Sequence, residues 1–92
     1  MLYVYILRCN DGSFYVGTAR DLYVRVKAHN DGRGVAYTFK RRPVWLVYSE
    51  AFISEAEAIQ RERQLKDWSR AKKEVLVAGD LHSLKRLSKR RS

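Results

Sequence analysis

Tyr3-Val4-Tyr5-Ile6-Leu7-Arg8-Cys9-Asn10-Asp11-Gly12-Ser13-Phe14-Tyr15-Val16-Gly17 is the stretch that decides how this chain folds. Two apolar runs flank Asn10-Asp11-Gly12, a turn signal in which Gly12 can take the left-handed conformation that closes a three-residue hairpin loop. With that loop, Cys9 faces Ser13, Leu7 faces Tyr15 and Tyr5 faces Gly17. Side chains alternate between faces along a strand, so Tyr5 and Tyr15 share one face on a diagonal. Two phenols thus converge beside a glycine that leaves the backbone bare. The first run, Leu2 to Arg8, is apolar on both faces, as expected of an interior strand, and Ser13 to Thr18 is its partner.

The whole chain of 92 residues, 46% apolar and 12% aromatic, is sized for one domain with a modest core, spanning residues 1–92 and ending in a basic helical stretch from about residue 80. Nineteen Lys and Arg against ten Asp and Glu give a formal charge of +9, which favours a polyanionic partner such as nucleic acid or an acidic membrane surface. A single cysteine, Cys9, rules out an intrachain disulfide and offers no zinc quartet. The longest apolar run, Leu2 to Leu7, is too short to span a bilayer and is followed at once by Arg8, with no small-residue cleavage site. The expected setting is therefore cytoplasmic, with no membrane partner.

Beyond the hairpin, Asp21 reads as the N-cap of a helix running to about Asn30, with Gly32 available to end it. Leu22, Arg25, Val26 and His29 fall on one face of that helix, and the two apolar members turn the face toward the sheet. Arg25 and His29 then sit beside the core, either as functional groups or as a snorkelling arginine and a satisfied core-edge histidine. Asp31 to Arg42 reads as a loop in which Tyr37 and Phe39 interleave with Arg33, Lys40, Arg41 and Arg42. Aromatic faces can stack on bases while cations contact phosphates; a merely solvated basic loop has the same composition. Val44 to Ser49, after Pro43, is a third strand, and both tryptophans, Trp45 and Trp68, read as core.

Ser54-Glu55-Ala56-Glu57 is a capping box opening a helix to about Trp68. Its apolar stripe is Ala58, Ile59 and Leu65, and Glu62 lies at the angular centre of that stripe. An inward carboxylate is costly unless it is paired, protonated or bound to a cation, so Glu62 is either a functional acid or the partner of Arg25 or a nearby lysine. Ser69 caps a further helix, Arg70 to Ala78, stopped by Gly79. Asp80 caps another, with Leu81, Leu84 and Leu87 as a packing seam and five cations between residues 81 and 92. The elements follow the order β-β-α-β-α-α, that of an α+β chain.

Taken in order, these residues resemble the motifs of the GIY-YIG nuclease superfamily. Tyr3-Val4-Tyr5 and Tyr15-Val16-Gly17 match its two signatures, Asp21-Leu22-x-x-Arg25-x-x-x-His29 its first helix, and Ala58-x-x-x-Glu62 a later one. Tyr37-Thr38, Arg41-Arg42-Pro43 and Trp68 to Lys73 resemble the small stand-alone bacterial-type members. Tyr3 stands where the family name has Gly, and Ala36 where relatives often carry a basic residue. The resemblance implies an α+β fold with a small three-stranded antiparallel sheet flanked by helices, in agreement with that order of elements. It also implies hydrolysis of a DNA phosphodiester with one divalent metal, Mg²⁺ or Mn²⁺, held by Glu62 as the sole protein ligand. It implies that Tyr5 activates or orients the attacking water, that Tyr15 binds the scissile phosphate, that Arg25 stabilises the transition state and that His29 supports the water or a tyrosine. Which of Tyr5 and His29 is the general base stays open. Arg33, Tyr37, Lys40, Arg41, Arg42, Arg70, Lys72 and Lys73 are the expected nucleic-acid contacts, with DNA the expected partner, RNA open, and the chain a monomer or weak homodimer. Branched or damaged DNA, in repair or recombination, is the implied substrate. The alternative is a non-catalytic nucleic-acid-binding module on the same fold.

Overall fold

The computed structural model describes residues 1–79. The first hairpin forms in the register the turn dictates. β1 (Leu2–Cys9) and β2 (Phe14–Ala19) pair antiparallel with Tyr5 opposite Gly17 and Leu7 opposite Tyr15. Gly12 carries the left-handed backbone, φ +84°, and its N–H donates to the Cys9 carbonyl at 2.8 Å. β3 (Val44–Phe52) pairs on the other side of β1, giving the sheet order β2-β1-β3. A central strand must bury both faces, which is why Leu2 to Leu7 carries apolar residues without alternation.

The two faces have separate cores. On one, Val4, Ile6 and Val16 pack against Ala58 and Leu65 of α3 (Glu55–Asp67) and Leu76 of α4 (Arg70–Ala78). On the other, Tyr5, Leu7, Cys9, Ala19 and Val44 pack with Leu22 and Val26 of α1 (Leu22–Asn30). The helix caps lie where hydroxyl and carboxylate side chains can satisfy free backbone amides. Asp21 accepts from the Val24 N–H, Ser54 from Glu57 and Ser69 from Lys72. The Asn30 side chain pins the end of α1 to the start of β3, donating to the Val44 carbonyl at 3.0 Å and accepting from its N–H at 2.7 Å.

Three expectations need correction. The stretch from Asp31 to Arg42 contains a short helix, α2 (Ala36–Phe39), closed by the Phe39 N–H donating to the Val35 carbonyl. Four residues are too few to display a helical period. Trp45 is 51% exposed, because it opens an edge strand opposite Arg8 rather than opposite an apolar side chain. Ile59 is also partly exposed, at the rim of the α3 stripe. The helix proposed after Asp80, with Leu81, Leu84, Leu87 and the basic end, lies outside the described residues. No helix among the described residues is long and apolar enough to cross a membrane.

Candidate active site at the base of the hairpin

Tyr5 is the centre of the site. It is buried on the α1 side of β1, and its ring packs over Gly17, where a methyl group would lie 2.7 Å from the phenol oxygen and 3.0 Å from Tyr15 Cε2. The absent side chain at Gly17 is the space the phenol occupies. One residue before its end, α1 delivers His29, also buried, and its Nε2 stands 3.0 Å from Tyr5 Oη. Tyr15 completes the cluster, its ring centroid 6.4 Å from that of Tyr5 and 5.3 Å from that of His29. These three rings are in mutual contact.

Arg25 and Glu62 join through charge, with no hydrogen bond to the ring cluster among the described residues. Burial, then the neighbouring Tyr15, pushes the Tyr5 phenol well above its ordinary range; Arg25 pulls the other way, and Glu62 adds to the rise. The same burial, reinforced by Arg25, holds His29 below its usual value, so the imidazole is neutral at physiological pH. Arg25 itself is exposed and lines a cavity of about 490 Å³ with Asp21, Val24, Glu55 and Ile59. Glu62 comes from α3, which packs on the opposite face of the sheet. Its carboxylate is 19% exposed and pairs with Lys66 at 3.2 Å, one turn along the same helix. The alternative reading of Glu62 as partner to a neighbouring lysine therefore describes its contact.

The expected nucleic-acid residues divide. Tyr37 stacks on Tyr15 at 6.1 Å and carries the Arg41 guanidinium on its ring at 3.9 Å, so an aromatic–cation series leads outward from the site. Arg41 is tied to the hairpin turn through Asp11 at 3.0 Å. Arg42 lies over the exposed Phe39 ring, Arg33 pairs with Asp31, and Lys40 is exposed. Across the hairpin, Arg70 flanks Phe14 and lies in exposed surface, while Lys73 is half-buried. Lys72 is a correction: it is 6% exposed, with its ammonium 4.1 Å from the Trp68 ring centroid, so it is a packing residue and not a phosphate contact.

Two residues bearing on the site are not picked out by motif chemistry. Thr38, fully buried, places Oγ1 2.8 Å from His29 Nδ1. Gly34 passes so close to the imidazole that any Cβ there would overlap His29. The Tyr37-Thr38 pair in the sequence was the available signal, though a threonine in a basic loop reads as solvated.

Of the carboxylates, Glu62 is the one whose charge reaches Tyr5, and it is the candidate to hold a divalent ion, while Asp21 and Glu55 line the cavity beside Arg25. Among the described residues no group of three or more His, Cys, Asp or Glu side chains could form a protein cage. That donor set fits Mg²⁺, which commonly takes one or two carboxylates and fills its remaining positions with water and substrate phosphate. Lys66 is a weak competitor, since its own side chain is half exposed and a single i,i+4 pair contributes little.

Residues 1–74 match the GIY-YIG catalytic domain. A UPF0213 protein of Staphylococcus saprophyticus is 49% identical over 76 residues, covering 83% of this chain and 93% of the relative. A UPF0213 protein of Staphylococcus aureus is 48% identical over 75 residues, covering 82% and 92%. Among solved structures, the solution NMR structure of a UPF0213 protein from Bacillus halodurans is similar with a TM-score of 0.57 and 47% identity, covering 87% of this chain and 86% of that one. A second solution NMR structure, from Enterococcus faecalis, gives 0.58 and 39%, covering 84% and 82%.

Proposed function

This chain belongs to the GIY-YIG catalytic domain family, a nuclease-type family whose substrates are nucleic acids, and on that premise we propose that it is a Mg²⁺-dependent endonuclease hydrolysing DNA phosphodiester bonds. The observation that carries the reading is the buried Tyr5–His29 hydrogen bond of 3.0 Å, whose phenol feels the charges of both Arg25 and Glu62. Phosphodiester hydrolysis needs an acceptor for the water proton and positive charge for the phosphoryl oxygens.

The proton cannot be left with a free tyrosinate. Tyr5 is pushed up, so a phenolate is not available at neutral pH, and Tyr5 acts with His29 as a pair. The phenol oxygen takes the proton of the attacking water as its own proton passes to His29. The imidazole, kept neutral by burial, is free to receive it. Tyr15 offers its hydroxyl to the scissile phosphate, and Arg25, exposed at the mouth, donates to the oxygens on which charge develops. Glu62 would hold Mg²⁺ or Mn²⁺, which when bound supplies the Lewis acidity for the phosphoryl oxygens and the leaving group.

Tyr37, Arg41, Arg42, Arg33, Lys40, Arg70 and Lys73 would carry the DNA backbone and its unstacked bases, on branched or damaged DNA in the cytoplasm, in repair or recombination. The test is conversion of supercoiled plasmid and branched DNA in Mg²⁺ by wild type, Arg25→Ala and Glu62→Ala. Wild type should cut and both variants should lose about 100-fold or more. Tight, salt-sensitive binding without cutting by wild type would instead support the binding-module alternative.

A further inference from the structure

Thr38 is fully buried in a four-residue helix, and packing alone asks for no hydroxyl there. Its Oγ1 lies 3.1 Å from the Val35 carbonyl oxygen and 2.8 Å from His29 Nδ1. A carbonyl only accepts, so for both contacts to be hydrogen bonds the single hydroxyl proton goes to Val35 and the hydroxyl oxygen takes the Nδ1 proton. A neutral imidazole has one N–H. The tautomer assigned from this network therefore carries a bare lone pair on Nε2, facing Tyr5 Oη at 3.0 Å. The chain then runs in one direction: Tyr5 donates to His29, His29 to Thr38, and Thr38 to the backbone. Gly34 passes beside the same Nδ1 edge of the ring, where any Cβ would overlap the imidazole, so the glycine leaves the space in which the ring meets Thr38.

We propose that Thr38 is a positioning residue that holds His29 as the Nδ1–H tautomer and so keeps Nε2 open to the Tyr5 proton. The opposite tautomer would present an N–H to Tyr5, which could then accept a hydrogen bond but hand on no proton. In the forward step the O–H bond of water breaks as its oxygen bonds to phosphorus. The bond from phosphorus to the leaving sugar oxygen breaks with its electron pair staying on that oxygen, which takes a proton from solvent. The water proton moves to Tyr5 Oη, and the Tyr5 proton moves to Nε2. The resulting imidazolium already donates its second N–H to Thr38, so no further proton has to leave. The consequence for rate rests on the hydrolytic reading, whereas the tautomer is a property of the resting protein.

The test has two arms. Nitrogen NMR of the histidine rings, with His29 assigned through a His82→Gln variant, should show a protonated Nδ1 and an unprotonated Nε2 in wild type and in Thr38→Ser. Thr38→Val should populate the Nε2–H form. In the second arm, Thr38→Val should lower kcat by about 10- to 100-fold, part of the range that general acid–base catalysis contributes, with KM within about twofold and Thr38→Ser close to wild type. An Nε2–H wild type, or a Thr38→Val protein that keeps the Nδ1–H tautomer and full kcat, overturns the proposal. The wild-type spectrum needs no variant, so an unfolded Thr38→Val leaves it falsifiable. Absence of cleavage with the Nδ1–H tautomer present counts against the hydrolytic reading and not against this one.

Discussion

Gly17→Ala separates the structure from simple propensity because the two predict opposite signs. Gly17 does not use the left-handed backbone, so nothing in its own conformation requires glycine. Replacing glycine by alanine inside a strand should then stabilise by about 0.5–1 kcal/mol, through lower unfolded-state entropy. The added methyl, however, would stand 2.7 Å from Tyr5 Oη and 2.8 Å from Cζ, where contact distances of 3.4 Å or more are normal. Tyr5 is enclosed by the core and held by His29, so it cannot swing away as a surface side chain would. Overpacking of this kind costs about 1–3 kcal/mol, and straining the Tyr5–His29 hydrogen bond adds about 1 kcal/mol. Setting these against the propensity gain leaves a net destabilisation of about 1–3 kcal/mol. Urea unfolding with unchanged m-value would measure it, with cleavage assayed in parallel and expected to fall with the displaced phenol. A Gly17→Ala protein as stable as wild type and equally active would refute the claim that this glycine seats the tyrosine.

Tyr5→Phe should keep DNA affinity within about threefold while slowing cleavage by about 100-fold or more, measured by single-turnover kinetics and filter binding. His29 titrates below its ordinary 6.5 in the folded protein, so the unfolded chain takes up its proton first as pH drops. Its contribution should therefore be constant above about pH 6.5, decline as pH falls below that value, and level off under the folded pKa; urea midpoints for wild type and His29→Gln between pH 5 and 8 should show the slope shrinking in the variant. Arg41→Ala should weaken DNA binding and reduce the salt dependence by about one counterion, seen in titrations at several salt concentrations. Lys72→Ala should leave that salt slope alone and cost about 1 kcal/mol of stability from its lost contact with Trp68, read from urea unfolding.

The hairpin could be read from its residues because two strong rules agree on it: side chains alternate with period two, and Asn10-Asp11-Gly12 admits one economical turn. The same agreement located the caps at Asp21, Ser54 and Ser69, where polar side chains precede apolar periodicity. Glu62 was identified as inward-leaning from its angular position, but the pattern could not choose among partners, and Lys66 provides the contact. The misreadings share a physical cause: burial set by long-range packing against local polarity. Lys72 looks like part of a basic run, yet its stem and ammonium lie against Trp68. Thr38 looks like a solvated loop residue, yet α2 folds its hydroxyl onto His29. Trp45 has strong strand propensity, but β3 is an edge strand and its register past the bulge beyond Ile6 places the indole opposite Arg8.

The most direct measurement is DNA cleavage and DNA binding followed in one single-turnover experiment with wild type and Glu62→Gln, in Mg²⁺ and again after chelation. Glutamine keeps the size of the side chain and removes its charge. The account predicts that wild type cuts only with the metal, and that Glu62→Gln binds DNA within about threefold of wild type yet cuts about 100-fold more slowly or less. Wild-type protein that binds without ever cutting, or a Glu62→Gln protein that cuts at the wild-type rate, would contradict it.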